Sequence, residues 1–365
     1  MCIRDRDDTL NPDLELAHFL SEETTYEHVP DYLGAVTFSA AGRTTLALGL
    51  AQELDPSQGT AWEYTRDAFH MFFERALAAG EETKFKPPKG GLTDPLRFED
   101  LPELLKDLMG SALPERIVQL GERTAGLHRA LASQPGREGF EHEAFSLHYQ
   151  RSVYSSLQGL TRDAFDKLRK SLKRLPEEIQ EEAREVLGLK NDVLQCFKRI
   201  FSHKMEAVKI RTHGDFHLDQ VLWTGRDFLI RNFEGEPMRP FSERRLKRSP
   251  LRDVAAMIRS LHYAVYGALH ESDLLGGEGN EIQEYWAQIW NRASTRLYLS
   301  GYLKSLDGPG FIPEDPDDYR ILLETFLLEK AVYELGYELE HRPDWVLIPL
   351  RGIRSVLREA GFLSS

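Results

Sequence analysis

The sequence predicts an α+β fold with a small extended region near the N-terminus and a large, mainly helical remainder. Two apolar runs, at residues 32–39 and 44–54, are separated by a short polar turn and predict a hairpin. A second pair of extended runs flanks residues 225–227. The long segments between and after these runs show the periodicity of amphipathic helices. With 365 residues, the chain can build two lobes with substantial cores.

Composition and charge exclude several classes of protein. A net charge of −13 argues against a general nucleic-acid binder, because such proteins usually present a basic face. Two distant cysteines, Cys2 and Cys196, predict neither a disulfide framework nor a zinc site, and they fit a cytoplasmic protein. No apolar run approaches the roughly 20 residues needed to cross a bilayer. Residues 1–10 lack the apolar core of a signal peptide and do not match the rest of the chain, so we expect an unrelated or artefactual segment there.

The first helix is predicted to begin at Asn11. Asn is a good N-cap, Pro12 suits the first helical position, and the carboxylates of Asp13 and Glu15 favour the positive end of a helix. The next helix is predicted over residues 62–79, and a long surface loop over residues 81–97.

Apolar periodicity and capping residues also predict most of the remaining helices. They are expected at residues 114–131, 149–172, 176–203 with a break at Gly188, 249–269, 286–303, 319–340 and from Pro349 onward. His128 lies on the first of these, where a packing role is expected. Residues 234–248 are polar, and an irregular segment is expected there.

The stretch HGDFHLDQ at residues 213–220 carries the strongest chemical signal. It lies between an apolar run that predicts a buried strand and the second extended pair. Phosphoryl transfer needs an acceptor for the proton of the substrate hydroxyl and oxygen ligands for Mg²⁺. Asp215 is the candidate base, and Gln220 and Asn232 are the candidate metal ligands. The alternative is a loop whose Asp and His side chains only cap turns.

Several blocks in a fixed order resemble one family. These blocks are HGDFHLDQVL at 213–222, NFEGEP at 232–237, RPFSERR at 239–245 and SPLRDVA at 249–255. Together they closely resemble maltokinase, and the resemblance extends from about Asn11 to about Ile353. It implies a bilobal protein-kinase-like fold, similar to that of aminoglycoside phosphotransferases. The partial N-lobe would be residues 11–54. The C-lobe would be residues 55–365, with a catalytic loop at 213–220 and a metal-loop hairpin at 221–237.

The resemblance also implies an activity and partners. Maltokinases use ATP and Mg²⁺ to phosphorylate maltose at its anomeric hydroxyl, and they often occur fused behind trehalose synthase. The chain is therefore expected to bind maltose and ATP, with trehalose synthase as a fused or separate partner. Neither nucleic acid nor a membrane is expected as a partner.

The resemblance alone implies further residue roles. Glu15 would be the helix carboxylate that pairs with a phosphate-binding Lys, although stabilisation of the helix start is an equal alternative. Gln52, Glu53 and Leu54 would form the hinge that binds adenine through its backbone. His213 is assigned to the catalytic loop, which it would hold by hydrogen bonds. His217 is a candidate for holding the loop or for contacting substrate. In related kinases, an Asp at the position of Asp253 braces this loop.

The last long helix carries candidate sugar contacts. Lys330 and Glu334 are spaced i,i+4, as are Tyr333 and Tyr337, so the four residues form adjoining stripes. Polar groups bind sugar hydroxyls and aromatic rings stack on pyranose faces, but an exposed ion pair with core tyrosines is an alternative. In maltokinases, this EKAVYE block and the RPDW that ends at Trp345 lie in the lobe that holds the disaccharide.

Two features depart from the family pattern. Asn232 stands where maltokinases have Asp, so the position loses the negative charge that Mg²⁺ prefers. A degenerate kinase, a substitute ligand at Glu234 or Glu236, or a one-base error would each account for this. No strand-borne Lys precedes Lys84, and we expect a fragment of a longer kinase.

Two other functions stay open on sequence alone. One is another small-molecule kinase, such as an aminoglycoside phosphotransferase. The other is a pseudokinase-like lobe that partners trehalose synthase without catalysis.

Overall fold

The computed structural model describes residues 11–39, 46–54, 57–79, 88–237, 239–271, 281–306 and 310–364. Within these ranges, the helices are α1 Pro12–Glu23, α2 Ala61–Ala78, α3 Glu103–Met109, α4 Ala112–Leu131, α5 Leu147–Ser171, α6 Glu177–Gly188, α7 Lys190–Lys198, α8 Phe241–Arg244, α9 Leu251–Glu271, α10 Glu281–Lys304, α11 Pro316–His341 and α12 Leu347–Glu359. The strands are β1 Tyr32–Phe38, β2 Leu46–Gln52, β3 Glu143–Ala144, β4 Val208–Lys209, β5 Val221–Trp223 and β6 Phe228–Ile230. They form three antiparallel pairs, β1–β2, β3–β4 and β5–β6. No helix in these ranges is both long and apolar enough to cross a membrane.

The β1–β2 hairpin forms the small extended part of the fold. Its register runs from Tyr32 opposite Gln52 to Phe38 opposite Leu46. Within the described residues, the apolar side chains of Leu33 and Val36 are mostly exposed on β1. The turn predicted between the two strands lies outside the described residues.

The chain passes from this hairpin into the helical body alongside β5. The backbone N–H of Gln58 donates to the Trp223 carbonyl at 2.7 Å, and the Trp223 N–H donates to the Gly59 carbonyl at 2.9 Å. Thr60 then caps α2, and the Glu63 carboxylate accepts from the Thr60 N–H at 2.8 Å, which forms a capping box. This local sequence fixes where α2 begins, directly beside the central β5–β6 hairpin.

The core of the helical body lies between α2, α4, α9, α10 and α11. Trp286 and Trp290 on α10 are fully buried and contact Phe72 and Phe69 on α2, with ring centroids 6.0 and 5.6 Å apart. Helices α4 and α10 approach closely because Gly121 faces the backbone of α10, where a Cβ atom would lie 2.1 Å from the Tyr298 carbonyl oxygen. These contacts make a rigid body on which the central loop is mounted.

The predicted α+β division is present, and most of the predicted helices lie within a few residues of the observed ones. Helix α12 begins at Leu347 rather than Pro349, and the strands of the central hairpin are shorter than predicted. The sequence pattern missed α3, and it missed α8 in a segment expected to be irregular. The proposed boundary between residues 54 and 55 stays a prediction.

Candidate active site

The loop at residues 213–220 is anchored at both ends by backbone pairing. Before it, the backbones of Ile210 and Arg248 exchange N–H···O=C bonds of 3.0 and 2.9 Å. After it, the Arg231 N–H donates to the Gln220 carbonyl at 3.0 Å, which ties the end of β6 to the end of the loop. Strand pairing therefore holds the loop between two fixed points, as the sequence pattern predicted.

Asp253, in the first turn of α9, holds the middle of this loop. Its carboxylate accepts the N–H groups of His213 at 2.8 Å and Gly214 at 3.0 Å. It also accepts from Nε2–H of His128 at 3.1 Å, and Nδ1 of His128 in turn accepts from the Tyr302 hydroxyl at 2.9 Å. Burial alone would raise the pKa of Asp253, but the His128 hydrogen bond and the neighbouring groups hold it below its usual value. A buried, ionised carboxylate thus fixes the loop backbone, and His128 has a structural role.

His213 is buried within the loop and directs its polar atoms into the loop itself. Its Nε2–H donates to the Arg231 carbonyl at 2.9 Å, and its ring lies between Phe216 and Phe233, with centroids 5.1 and 5.0 Å away. Burial lowers the pKa of His213, so the ring is neutral near pH 7. These contacts are the ones expected of a residue that holds the loop, and a direct part for His213 in catalysis stays a prediction.

Asp215 lies on the wall of a cavity of about 180 Å³ between the loop and α11. Its side chain is 21% exposed, and its Oδ2 is 3.7 Å from Nε2 of His217. Burial raises the pKa of Asp215, but the His217 ring and the charge of Lys330 outweigh this effect and leave the pKa below its ordinary value. Asp215 therefore stays ionised at neutral pH and can accept a proton or a hydrogen bond from a bound hydroxyl.

Lys330 and Tyr333 of α11 face Asp215 across the same cavity. The Lys330 ammonium lies 4.9 Å from the centre of the Tyr333 ring. Burial lowers the pKa of Lys330, but the carboxylates of Glu334, Asp215 and Glu236 raise it overall, so the side chain is positive. Glu236 also lines this cavity and is paired with Arg239. A negative, a positive and an aromatic group thus surround one space that suits a polar ring.

The two predicted metal ligands lie side by side. Oε1 of Gln220 accepts from Nδ2 of Asn232 at 2.7 Å, and Nε2–H of Gln220 donates to Nε2 of His217 at 3.1 Å. Asn232 has φ +60°, a left-handed conformation that Asn tolerates better than most residues. Among the described residues, no cluster of three or more His, Cys, Asp or Glu side chains could hold a metal ion. Two neutral amides fit Mg²⁺ poorly, since its protein sites ordinarily include a carboxylate.

Asp13 is a site residue that the sequence reasoning missed. Its carboxylate accepts the backbone N–H of Phe233 at 2.7 Å and so ties α1 to the turn after Asn232. Burial raises the pKa of Asp13 to about 6, with a smaller contribution from Glu234, despite the hydrogen bond from Phe233. Its sequence position indicated only a helix start, so the long-range contact left no signal.

Glu15 does not face the cavity and has two arginine partners. Its carboxylate accepts from Arg211 at 2.8 Å and from Arg245 at 2.7 and 2.9 Å. Burial raises the pKa of Glu15, but Arg245 and Arg211 together bring it below its usual value. The predicted partner of Glu15, a phosphate-binding Lys, is replaced here by this buried ion-pair cluster.

The predicted hinge residues end the β1–β2 hairpin. Gln52 is the last residue of β2, the Glu53 N–H donates to the Asp31 carbonyl at 2.9 Å, and Leu54 is 93% exposed. Residues 55 and 56 lie outside the described ranges. Binding of adenine by this segment stays a prediction.

Of the predicted sugar contacts beyond Lys330 and Tyr333, three lie elsewhere. Glu334 is buried, and its Oε2 accepts from Arg259 of α9 at 2.6 and 2.9 Å. Tyr337 is 42% exposed and stacks on His341. Trp345 packs near Gly267 at the end of α9 and under Arg342. None of the three lines the Asp215 cavity: Glu334 is directed towards α9, Tyr337 lies at an exposed position of α11, and Trp345 lies beyond the end of α11.

Comparison with known proteins supports the fold. No protein-family model matches the chain. Solved structures of glucosamine kinase match with TM-scores of 0.65 and 0.64 at 19% identity; they cover 96% and 94% of this chain and 70% and 68% of the matched chains. One of them is in complex with glucosamine, ADP and inorganic phosphate. The chain shares their fold.

Two curated relatives are also named glucosamine kinase. The protein from Streptacidiphilus jiangxiensis is 26% identical over 196 residues, and that from Mycolicibacterium smegmatis is 28% identical over 149 residues. The matches cover 51% and 40% of this chain. They span only 42% and 34% of the relatives' own lengths.

Proposed function

We propose that this chain is the transferase part of an ATP-dependent sugar kinase in which Asp215 accepts or orients the proton of the acceptor hydroxyl. The observation that carries this proposal is an ionised carboxylate on the wall of a small polar cavity, on a loop whose backbone is fixed by Asp253. Fixed geometry matters because phosphoryl transfer depends mainly on positioning and electrostatics. The shared fold and the two glucosamine kinase relatives support the same reaction class.

Each residue around the cavity has a defined part in this proposal. ATP supplies the phosphoryl group, and its binding by residues 52–54 is inferred from the resemblance. Lys330 holds Asp215 in its ionised form, and the Tyr333 ring offers a face for a pyranose. Mg²⁺, when bound, would neutralise phosphate charge, but the two amides predicted to hold it, Gln220 and Asn232, fit it poorly, so no step is assigned to the ion. His217 lies between Asp215 and Gln220, and its Nε2 accepts the hydrogen bond that orients the Gln220 amide.

Glucosamine is the first candidate for the sugar that accepts the phosphoryl group. The cavity volume of about 180 Å³ is below the roughly 300–1,000 Å³ of pockets for drug-sized ligands, which suits one small ring. The carboxylates that line it, including Asp215 and Glu236, can also bind an ammonium group. Glucosamine is in addition the sugar named for the relatives and for the solved structures.

Maltose is the second candidate acceptor. The sequence blocks resemble maltokinase, and Tyr337 lies one helical turn beyond Tyr333 with an exposed ring. A second pyranose that leaves the cavity along α11 would pass this ring. Such a disaccharide would need both tyrosines, whereas a single amino sugar would need only Tyr333.

A substrate panel tests the proposal directly. The purified chain is incubated with ATP, Mg²⁺ and either glucosamine, glucose, maltose or an aminoglycoside, and the products are analysed by mass spectrometry. We expect a phosphorylated sugar that is absent with the Asp215→Asn variant. Transfer to the aminoglycoside alone would overturn the assignment to sugars. Equal transfer by the Asp215→Asn variant would overturn the role of Asp215.

A second candidate function is a binding lobe without transfer activity. The observation that favours it is Asn232, which leaves two neutral amides at the predicted metal position. Such a lobe would bind ATP with an affinity that does not depend on Mg²⁺, and trehalose synthase would be its predicted partner. Calorimetric titration of ATP with and without Mg²⁺ separates the two functions, because a kinase site gains affinity from the ion.

A further inference from the structure

A second cavity of about 570 Å³ lies in the helical body. Its walls are the facing sides of α9, α10 and α12, together with Glu182 of α6 and the segment 88–92. It shares no lining residue with the Asp215 cavity. Its volume is within the range of small-molecule sites.

The charges that line this cavity leave a local excess of positive charge. The carboxylates are all paired: Glu182 with Arg351 and Arg354, Glu284 with Arg351, and Glu359 with Arg292. Lys89 and Arg358 also line the cavity, and neither has a carboxylate partner within the part of the chain that the structure describes. Both side chains are exposed, so they lie at its solvent side. Two unpaired cations beside a cavity suit a phosphate group.

The buried wall of the cavity is polar, and some of its polar atoms lack hydrogen-bond partners among the described residues. His262 of α9 is only 6% exposed, and its ring stacks on Tyr266 with centroids 4.5 Å apart. Its Nδ1 has no hydrogen-bond partner among the described residues, and neither has Oδ1 of Asn291. An unmade hydrogen bond on a buried polar atom is costly, so such atoms normally have a function or a bound partner. Burial and the charges of Arg259 and Arg351 lower the pKa of His262, so the ring is neutral and has one donor and one acceptor nitrogen.

We propose that this cavity binds a small phosphorylated sugar. Its phosphate binds Lys89 and Arg358. Its hydroxyl groups form hydrogen bonds with the neutral polar wall, which includes His262, Gln288 and Ser355. Hydroxyl groups match this wall because each can both donate and accept. The proposal does not rest on the kinase activity, because binding is tested without ATP.

Isothermal titration of the full chain with glucose 6-phosphate, in the absence of ATP and Mg²⁺, tests the proposal. Glucose and inorganic phosphate are the comparison ligands. We expect saturable binding of glucose 6-phosphate that is at least about tenfold tighter than that of either comparison ligand. The absence of saturable binding would overturn the site, and equal affinity for inorganic phosphate would overturn the class of ligand.

Two variant pairs locate the binding. The double variant Lys89→Glu and Arg358→Glu is expected to weaken binding at least tenfold. The control pair Lys173→Glu and Arg174→Glu makes the same charge change at two exposed positions away from the cavity and is expected to leave affinity unchanged. Equal binding by the first pair and the wild type would overturn the location.

His262→Leu tests the buried wall, and it is expected to weaken binding of the sugar phosphate more than binding of inorganic phosphate. Equal weakening of both ligands would overturn the role of His262.

Discussion

The carboxylates on the two sides of the 213–220 loop differ in how many hydrogen bonds they accept. On the buried side, Asp253 is 3% exposed and accepts hydrogen bonds from His213, Gly214 and His128. On the cavity side, the Asp215 carboxylate makes no hydrogen bond among the described residues, and its Oδ2 lies 3.7 Å from Nε2 of His217. Both carboxylates have a pKa below the usual value, but three of the roughly four acceptor positions of Asp253 are used, whereas those of Asp215 are open. Asp253 therefore holds the loop backbone, although it also reaches the cavity wall, and Asp215 is the carboxylate available for chemistry.

This difference indicates how the site is built. A buried charge is tolerated only when it is well paired, and the pairing rigidifies the backbone that carries it. Rigid backbone on the buried side lets the cavity side hold a reactive group in one position. Four substitutions test this division, and Asp215→Asn has the largest expected effect.

Asp215→Asn should abolish transfer while leaving stability nearly unchanged. Loss of the proton acceptor is expected to lower kcat by about 10²–10⁴-fold, because general-base catalysis supplies an effect of that order. The free energy of unfolding should change by less than about 0.5 kcal/mol, since the side chain makes few contacts. The matched control is Asp219→Asn, an exposed carboxylate of the same loop that does not line the cavity. A similar loss of kcat in both variants would contradict the distinct role of Asp215.

Asp253→Ala should destabilise the fold, in contrast to Asp215→Asn, which should change activity and leave stability nearly unchanged. The variant leaves the buried His213 N–H, the part-buried Gly214 N–H and His128 without an acceptor, which is expected to cost about 2–4 kcal/mol in the free energy of unfolding. Urea denaturation measures this cost. Asp163→Ala, at an exposed position on α5, is the control and should change stability by less than about 0.5 kcal/mol. Equal stability of the two variants would remove the structural side of the comparison.

Asn232→Asp should increase transfer at limiting Mg²⁺. The left-handed backbone conformation accepts Asp as it does Asn, so the change adds a charge without backbone strain. The Gln220 amide must turn, because Asp has no donor to replace the Asn232 hydrogen bond to Oε1 of Gln220. A carboxylate is a better Mg²⁺ ligand than an amide, and we expect at least about tenfold higher activity, or about 1.4 kcal/mol. Steady-state rates across a Mg²⁺ titration give the measurement. Asn191→Asp, an exposed position on α7, controls for added charge; the hypothesis fails if rates are the same for Asn232→Asp and the wild type.

Asp13→Asn should alter the pH dependence of stability by up to about 3 kcal/mol. The folded-state pKa of Asp13 is about 6, above its unfolded value, so the stability it contributes is present below about pH 4 and is lost as pH rises through about 6. The amide keeps an acceptor for the Phe233 N–H but cannot ionise. The variant should therefore match the wild type at pH 4 and exceed it at pH 8.

The control for Asp13→Asn is Asp31→Asn, which alters an exposed carboxylate after α1. Urea denaturation of both variants at the two pH values gives the comparison. If Asp13→Asn and Asp31→Asn show the same pH dependence, Asp13 is not the buried titrating group that ties α1 to the turn after Asn232.

Local sequence determined where the elements begin and where the candidate catalytic loop lies. Asn11 accepts the N–H groups of Asp13 and Leu14, and Ser146 accepts that of Tyr149, so short-range hydrogen bonds place two helix starts. The stretch around Asp215 lies between a strand and a hairpin as predicted, because apolar runs and turn residues act over a few positions. The position of this loop was therefore predictable without a structure, and its catalytic role stays a prediction.

Only the tertiary structure decided the long-range pairings. Glu15 meets Arg211 and Arg245, Glu334 meets Arg259, and Asp13 meets Phe233, at separations of 75 to 230 positions along the chain. A charged residue has the same local pattern whether it faces a cavity or a buried arginine, because its partner is chosen by the packing of distant helices. The side chains predicted to contact substrate therefore lie in different places. Lys330 and Tyr333 line the cavity, whereas Glu334 on the same helix is buried in the core.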